Sequence, residues 1–246
     1  MKRDLLRFLI VFSAHFLVIS CGVDEYAYIY PIPQENISTS LNRTATVRIP
    51  GNNAGTVFTH FTILYRIYLS GVVFGNPSPG DFSTINPALL SHYNAINAYS
   101  PSSDRVFSVS LLESLLRNRG YKELRFQGQE IEALLDSGVF NRQLFFNFGS
   151  AHGTPTMTVM NGNNPVGSAF RLLRSEELSL PPQDDYYFLY SEKLLNGDDI
   201  EKNGSASGYA YAAMFIIAVG LNTEDYSLIY SNPTLIHVFP VPARGI

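Results

Sequence analysis

The chain has 246 residues, a formal net charge of −4, one cysteine at position 21 and no tryptophan. Residues 1–20 hold three basic residues and one acidic residue, so the remainder has 14 basic and 20 acidic residues and a formal charge of −6. This excess of acidic residues argues against a nucleic-acid-binding surface, which would be basic. A single cysteine excludes an internal disulfide. Fifteen tyrosines and 17 phenylalanines, together with few charged residues, favour β-sheet.

The first 21 residues have the parts of a targeting signal. Basic residues at positions 2, 3 and 7 precede an apolar run at residues 8–19, which is too short to span a bilayer as a helix. The sequence Val18-Ile19-Ser20-Cys21 follows this run. It resembles the processing motif of bacterial lipoproteins, in the looser form of spirochaete proteins.

This resemblance implies that residues 1–20 are a signal peptide that is removed, and that residues 21–25 are a lipidated spacer. Cys21 would carry the lipid, because its thiol can form the diacylglycerol thioether. Stable attachment needs two or more acyl chains such as palmitate. The implied location is a bacterial cell envelope, with the protein anchored to a membrane at its periplasmic or outer-surface face. The alternative is an ordinary secretory signal that leaves Cys21 as a free thiol.

Two long segments, residues 56–69 and 209–221, carry the strongest strand pattern. In the first segment, alternate residues form two sets because successive side chains of a strand point to opposite faces. The predicted core face is Phe61, Ile63, Tyr65, Ile67 and Leu69, and the opposite face is His60, Thr62, Leu64, Arg66 and Tyr68. Shorter strands are predicted at 26–30 (an edge strand, because two prolines follow), 44–49 and 234–239, with loops at 34–42 and 222–233.

The middle of the chain mixes helix and strand signals. Asn86 and Pro87 are a good N-cap and first-turn pair, and residues 110–113 match a capping box. Gly120 stands where a helix end favours a positive φ. Further strands are predicted at 121–126 and 143–148, and a hairpin at 155–160 and 166–174 around the turn 161–165.

Three tyrosine-containing stretches lie in or beside the predicted strands: Tyr65-Arg66-Ile67-Tyr68, Tyr209-Ala210-Tyr211 and Tyr230-Ser231-Asn232-Pro233. They resemble the C, F and G strands of a fibronectin type III or immunoglobulin-like sandwich. The resemblance implies a mainly β fold with an α/β insertion, in which the sandwich is interrupted between its two long core strands. The sandwich would comprise residues 26–75 and 206–242, and residues 76–205 would form the α/β insertion packed on it.

The whole chain also resembles a group of treponemal lipoproteins of unassigned role. The residues that suggest it lie at 119–124, 172–175 and 230–239. No activity is implied by this second resemblance.

One loop could carry nucleophilic chemistry. Ser150 and His152 lie between Gly149 and Gly153. The spacing matches neither a nucleophile elbow nor a triad, whose members converge from separate loops. A flexible turn between two strands is therefore the favoured interpretation.

Metal ligands and paired carboxylates give weaker signals. His60, His92, His152 and His237 are scattered, without an i, i+4 pair or a second ligand type. Residues 196–201 are the best calcium candidate, but the third oxygen position of an EF-hand loop would fall on an isoleucine, so a solvated acidic loop is favoured. The adjacent pairs Asp184-Asp185 and Asp198-Asp199 point apart in extended chain, whereas acid–base catalysis needs facing carboxylates.

The sequence therefore predicts a lipid-anchored envelope protein with a binding or structural role. No enzymatic activity, cofactor, metal site or nucleic-acid partner is expected, and the ligand is an unidentified protein or small molecule. One alternative is an envelope hydrolase with its site near Ser150 and His152. Another is a small-ligand carrier whose pocket is lined by tyrosines such as Tyr186 and Tyr187.

Overall fold

The computed structural model describes residues 28–41, 43–98, 112, 118–126, 135–148, 156–160, 165–170, 198–201 and 208–241. These residues form a mainly β protein with few helices. The strands are β1 (Ile37–Ser40), β2 (Thr44–Arg48), β3 (Phe58–Ser70), β4 (Lys122–Glu123), β5 (Arg125–Phe126), β6 (Gln143–Asn147), β7 (Thr156–Met160), β8 (Pro165–Phe170), β9 (Ile200–Glu201), β10 (Tyr209–Leu221), β11 (Leu228–Tyr230) and β12 (Thr234–Val241). The α-helices are α1 (Phe82–Ile85) and α2 (Pro87–Asn97), and short 3-10 turns lie at Gln34–Asn36, Pro79–Asp81 and Ser137–Val139.

The strands form two sheets in a sandwich-like arrangement. The first sheet has the order β1-β2-β6-β7-β8-β5. In the second sheet, β10 and β3 are the central pair. Strands β11 and β12 pair with one edge of β10, while β4 and β9 pair with the far edge of β3. All these ladders are antiparallel except that between β3 and β9.

The β3–β10 ladder is the longest in the described structure. Its register runs from Tyr209 opposite Ser70 to Gly220 opposite Phe58. Both strands lie where the alternating pattern of the sequence predicted them. The predicted last strand, β12, pairs with the other side of β10, so β10 lies between β3 and β12. This is the neighbour order expected of an F strand between C and G.

Both faces of the β3–β10 ladder are buried, whereas the sequence predicted one core face for β3. The predicted set, represented by Ile63 and Ile67, packs in a core shared with the first sheet and β12. Leu64 and Tyr68, on the opposite face, pack in a second core with α1, α2 and Tyr121. The prediction was incomplete because helices supplied by a later part of the chain cover the face that looked more polar. A three-layer arrangement of sheet, sheet and helices results.

The segment 76–205, predicted to be an α/β insertion packed on the sandwich, supplies strands to both sheets. Strand β6 pairs with β2 in the first sheet, and β4 and β9 pair with β3 in the second. Each of these strands satisfies backbone N–H and C=O groups that would otherwise be left at a buried edge. Hydrogen bonding therefore crosses the predicted boundaries near residues 75 and 206.

Asn86 begins α2 as predicted. Its Oδ1 accepts a hydrogen bond from the Ala88 N–H at 2.9 Å, and its Nδ2 donates to the Leu69 carbonyl at 3.0 Å. This side chain therefore both caps the helix and ties it to the end of β3. The predicted hairpin is also confirmed, since β7 and β8 pair antiparallel. Of the predicted capping box at 110–113, only Leu112 lies within the described residues.

Three local predictions were wrong. Residues 28–30, within the predicted edge strand 26–30, are not in a strand, because the Asn53 side chain pairs with the backbone N–H and C=O of Tyr30 at 2.8 and 2.9 Å. Residues 121–126 form two strands that pair with different sheets. The predicted loops 34–42 and 222–233 contain β1 and β11, which are strands because they pair with β2 and β10.

Truncation of one side chain in each core tests the two-sided burial of the β3–β10 ladder. We expect Ile67→Ala and Ile217→Ala each to lower the free energy of unfolding by about 2–5 kcal/mol, because both side chains are fully buried and each change leaves a cavity. Urea titration followed by circular dichroism measures the change. Val73→Ala is the control, since Val73 is 65% exposed. A near-neutral Ile217→Ala would contradict the second core.

Candidate functional site

Several residues singled out in the sequence lie outside the described residues: Cys21, Ser150, His152, Asp184, Asp185, Tyr186 and Tyr187. In the part of the chain that the structure describes, no helix has the length and apolarity needed to cross a membrane. The same part contains no group of three or more His, Cys, Asp or Glu residues arranged to hold a metal ion.

The sequence predicted a solvated acidic loop at residues 196–201. In the structure, the acidic residues at 198, 199 and 201 instead contact β3 and β4. Asp199 is fully buried, and its carboxylate accepts a hydrogen bond from the Tyr65 hydroxyl at 3.0 Å. Asp198 pairs with Lys122 at 2.7 Å, and Glu201 pairs with Arg66 at 2.7 Å. These acids join the segment to β3 and β4, which explains why the short strand β9 docks there.

Among the described histidines, His60 lies in β3 and His237 lies in β12. Neither belongs to a group of potential metal ligands in the described structure. The ring of His60 lies 3.0 Å from the Thr59 hydroxyl. His237 is buried, its ring packs edge-on against Phe239, and its Nε2 has no hydrogen-bond partner in the described structure. Burial lowers its pKa to about 4.

His92 belongs to a group of polar side chains on the helix-covered side of the second sheet. We call this group the Arg66 cluster, and it consists of Arg66, Tyr68, His92, Arg119, Tyr121 and Glu201. The Tyr68 hydroxyl lies 2.8 Å from His92 Nδ1 and 2.9 Å from the Tyr121 hydroxyl. Arg66 Nη2 donates to Glu201 Oε2 at 2.7 Å. The cluster thus combines a hydrogen-bonded chain of one histidine and two tyrosine side chains with an ion pair.

Local structure explains how these residues meet. Arg66 and Tyr68 are two residues apart on β3, so their side chains share the face that α2 covers. His92 lies on α2. Arg119 and Tyr121 flank Gly120, whose φ of +61° turns the chain at the point where a helix end was predicted.

The Arg66 side chain is buried and packs closely against Gly120. The residue is 7% exposed, and a Cβ on Gly120 would overlap its Nη1. Only glycine therefore fits at position 120, both because of its φ and because the guanidinium lies against its backbone. Arg66 Nε and Nη1 are buried without a hydrogen-bond partner in the described structure, and the same holds for Arg119 Nη1.

Electrostatics keep the uncharged members of the cluster neutral. Burial, followed by the positive charges of Arg119 and Arg66, lowers the pKa of His92 to about 4. Burial raises the pKa of Tyr121 to about 12, and burial together with the neighbouring Tyr121 raises the pKa of Tyr68. At pH 7 the cluster therefore contains two guanidinium groups, one carboxylate and three neutral rings.

Comparison with protein-family models, curated proteins and solved structures found no match. Sequence reasoning missed the cluster as a site, although one signal was present: Arg66 is a charged residue inside one of the two longest strand patterns of the chain. An ionised side chain at such a position needs partners, and these come from distant segments.

Gly120→Ala tests the contact between Gly120 and Arg66. We expect the variant to lose at least about 1–2 kcal/mol of unfolding free energy, because a non-glycine residue is unfavourable at positive φ and the added methyl group displaces Arg66. Chemical denaturation gives the value. Gly75→Ala is the matched control, since nothing lies within 4 Å of a Cβ there. Equal stability of the two variants would show that Gly120 is not constrained.

Acid should destabilise the protein through its buried histidines. A histidine titrates near 6.5 in the unfolded chain, and His237 has a pKa of about 4 in the folded protein, so the unfolded state binds more protons between these values. The contribution of His237 to the free energy of unfolding is therefore complete above pH 6.5 and is lost as the pH falls from 6.5 towards 4. His92 acts in the same direction.

We expect His237 alone to account for about 2–3 kcal/mol of the loss between pH 7 and 4.5. The measurement compares urea unfolding at the two pH values for wild type and His237→Phe, which cannot titrate. Carboxylates contribute equally to both proteins, so the difference isolates the histidine. An unchanged pH dependence in His237→Phe would contradict the low pKa.

Proposed function

We propose that the mature chain is a lipid-anchored protein of a bacterial cell envelope that binds a ligand and does not catalyse a reaction. The anchor is proposed from the targeting signal and from Cys21, the only cysteine of the chain. The binding role is proposed from one observation above all: buried N–H groups of Arg66 and Arg119 have no hydrogen-bond partner in the described structure. Buried donors without partners are rare in folded proteins, and ligand binding is one way to satisfy them.

The titration behaviour of the Arg66 cluster favours binding over catalysis. A general acid or base works best when its pKa lies near the operating pH. The pKa of His92 is lowered to about 4, and that of Tyr121 is raised to about 12, so both are poor proton carriers at pH 7. As neutral groups with fixed hydrogen bonds, they are well suited to orient a bound molecule.

The cluster also supports the small-ligand carrier over a purely structural role, but with different tyrosines from those suggested by the sequence. Tyr68 and Tyr121 are the tyrosines of the Arg66 cluster, where they lie beside its charged groups. We further propose that the sandwich is of the immunoglobulin or fibronectin type III kind, with β3, β10 and β12 as its C, F and G strands. That assignment concerns the fold, and it does not by itself indicate a ligand.

The anchor is tested by replacing its attachment point. We expect wild-type protein, expressed in a bacterial host that processes lipoproteins, to enter the detergent phase on phase separation and to begin at an acylated Cys21. We expect Cys21→Ala to remain in the aqueous phase, since no second lipid attachment site is proposed. Ser20→Ala is the control, because it keeps a small residue before the cysteine. Detergent partition of Cys21→Ala equal to wild type would refute the lipid anchor.

A further inference from the structure

The charges of the Arg66 cluster do not balance. Among the described residues, Arg66 forms an ion pair with Glu201, whereas no carboxylate forms one with Arg119. Two other basic residues of the described structure are paired: Lys122 with Asp198 and Arg125 with Glu123, at 2.7 and 2.6 Å. Arg119 Nη1 is buried and has no hydrogen-bond partner in the described structure. A partly buried positive charge that lies near a second positive charge and has no anionic partner lowers the stability of the folded state.

The hydrogen-bonded chain of the cluster also has one donor to spare. Neutral His92, Tyr68 and Tyr121 carry three polar hydrogens, and the two hydrogen bonds between them use two. If the bonds run from Tyr121 towards His92, the spare hydrogen is on His92 Nε2. If they run in the opposite direction, it is on the Tyr121 hydroxyl. In either direction, one end of the chain offers a donor and no carboxylate of the described residues accepts it.

The donors of Arg66 are pre-organised. Glu201 and the backbone of Gly120 hold the Arg66 guanidinium on two sides, so its orientation is fixed before any ligand arrives. Arg119 and His92 are only partly buried, and Asn118 beside them is exposed. The Arg119 side of the cluster is therefore in contact with solvent, while Arg66 lies at its inner end.

We propose that the Arg66 cluster is a binding site for a small oxyanion, a carboxylate or a phosphate group, held between Arg66 and Arg119. This inference rests on the binding role proposed above and does not depend on the lipid anchor. The planar guanidinium group matches the geometry of carboxylate and phosphate oxygens, and its hydrogen bonds to them are charge-assisted. A cation would be repelled by the two arginines, and a neutral ligand would leave the second positive charge uncompensated.

Thermal unfolding of the purified full-length chain tests the site with simple salts as probes. Sodium phosphate and sodium acetate are compared with sodium chloride at matched ionic strength and pH 7. A ligand that binds only the folded state raises the Tm, and we expect a rise of about 2 °C or more at about 20 mM phosphate or acetate. The two salts distinguish a phosphate from a carboxylate preference. No rise above chloride with either salt would overturn the proposal.

Arg119→Gln separates a binding site from a structural role. Because Arg119 Nη1 has no hydrogen-bond partner and no carboxylate of the described residues forms an ion pair with Arg119, we expect the variant in low chloride to melt no lower than wild type, and to lose the Tm rise in the oxyanion. Arg125→Gln, which removes an arginine that lies outside the Arg66 cluster, in β5 of the first sheet, and forms an ion pair with Glu123, is the control and should keep the rise. An equal rise in Arg119→Gln and wild type would show an unspecific salt effect and contradict the site.

A failure of this experiment leaves the detergent-partition result for Cys21 untouched, so the anchor and the oxyanion site stand or fall separately. Isothermal titration calorimetry with the better of the two salts gives the affinity directly. We expect at least a tenfold weaker affinity for Arg119→Gln than for Arg125→Gln, since the charge-assisted bonds of one guanidinium are lost.

Discussion

The antiparallel pairing of β3 with β10 is the constraint on which the rest of the structure depends. Each strand is long, and both faces of the pair are buried. One face closes the core against the first sheet, and the other receives the helices. Burying one aliphatic side chain such as Ile63 or Ile217 stabilises the folded state by about 1.5–3 kcal/mol. The ladder contributes many such side chains to both cores.

Burial on both faces also creates the chemistry of the candidate site. A strand exposed on one face could leave Arg66 in water, but the helix layer covers that face and brings the guanidinium into the interior. Glu201 arrives from β9 and Gly120 from the turn before β4, so two segments far from β3 in sequence accommodate one side chain. The arrangement holds the charge in place without satisfying all of its donors.

Much of the sheet could be predicted from the sequence, because the signals are local. Alternation of side chains indicated β3 and β10, Asn86 indicated the start of α2, and Gly120 indicated a position of positive φ. Strand β1 could not be predicted in this way. Its sequence is polar, and it is a strand only because β2 offers an edge to pair with.

The site was beyond such signals because its members come from distant segments. Arg66 and Glu201 are 135 residues apart, and Tyr68 and Tyr121 are 53 apart. The sequence showed that a charge lies within an apolar strand, but it did not show which residues surround that charge. The same reason explains Asp199: its carboxylate appeared to belong to a solvated loop until Tyr65, on β3, was seen to donate to it.

Native-state hydrogen exchange tests the central place of the β3–β10 ladder most directly. The account predicts that amides at residues 62–67 and 213–217 exchange only through global unfolding, so that their exchange free energy equals the free energy of unfolding from urea titration. Amides of β1, at the edge of the first sheet, should exchange at a lower free energy. If the β3 and β10 amides exchanged through a smaller opening while those of β2 and β6 stayed protected, the ladder would not be the element that holds the fold together.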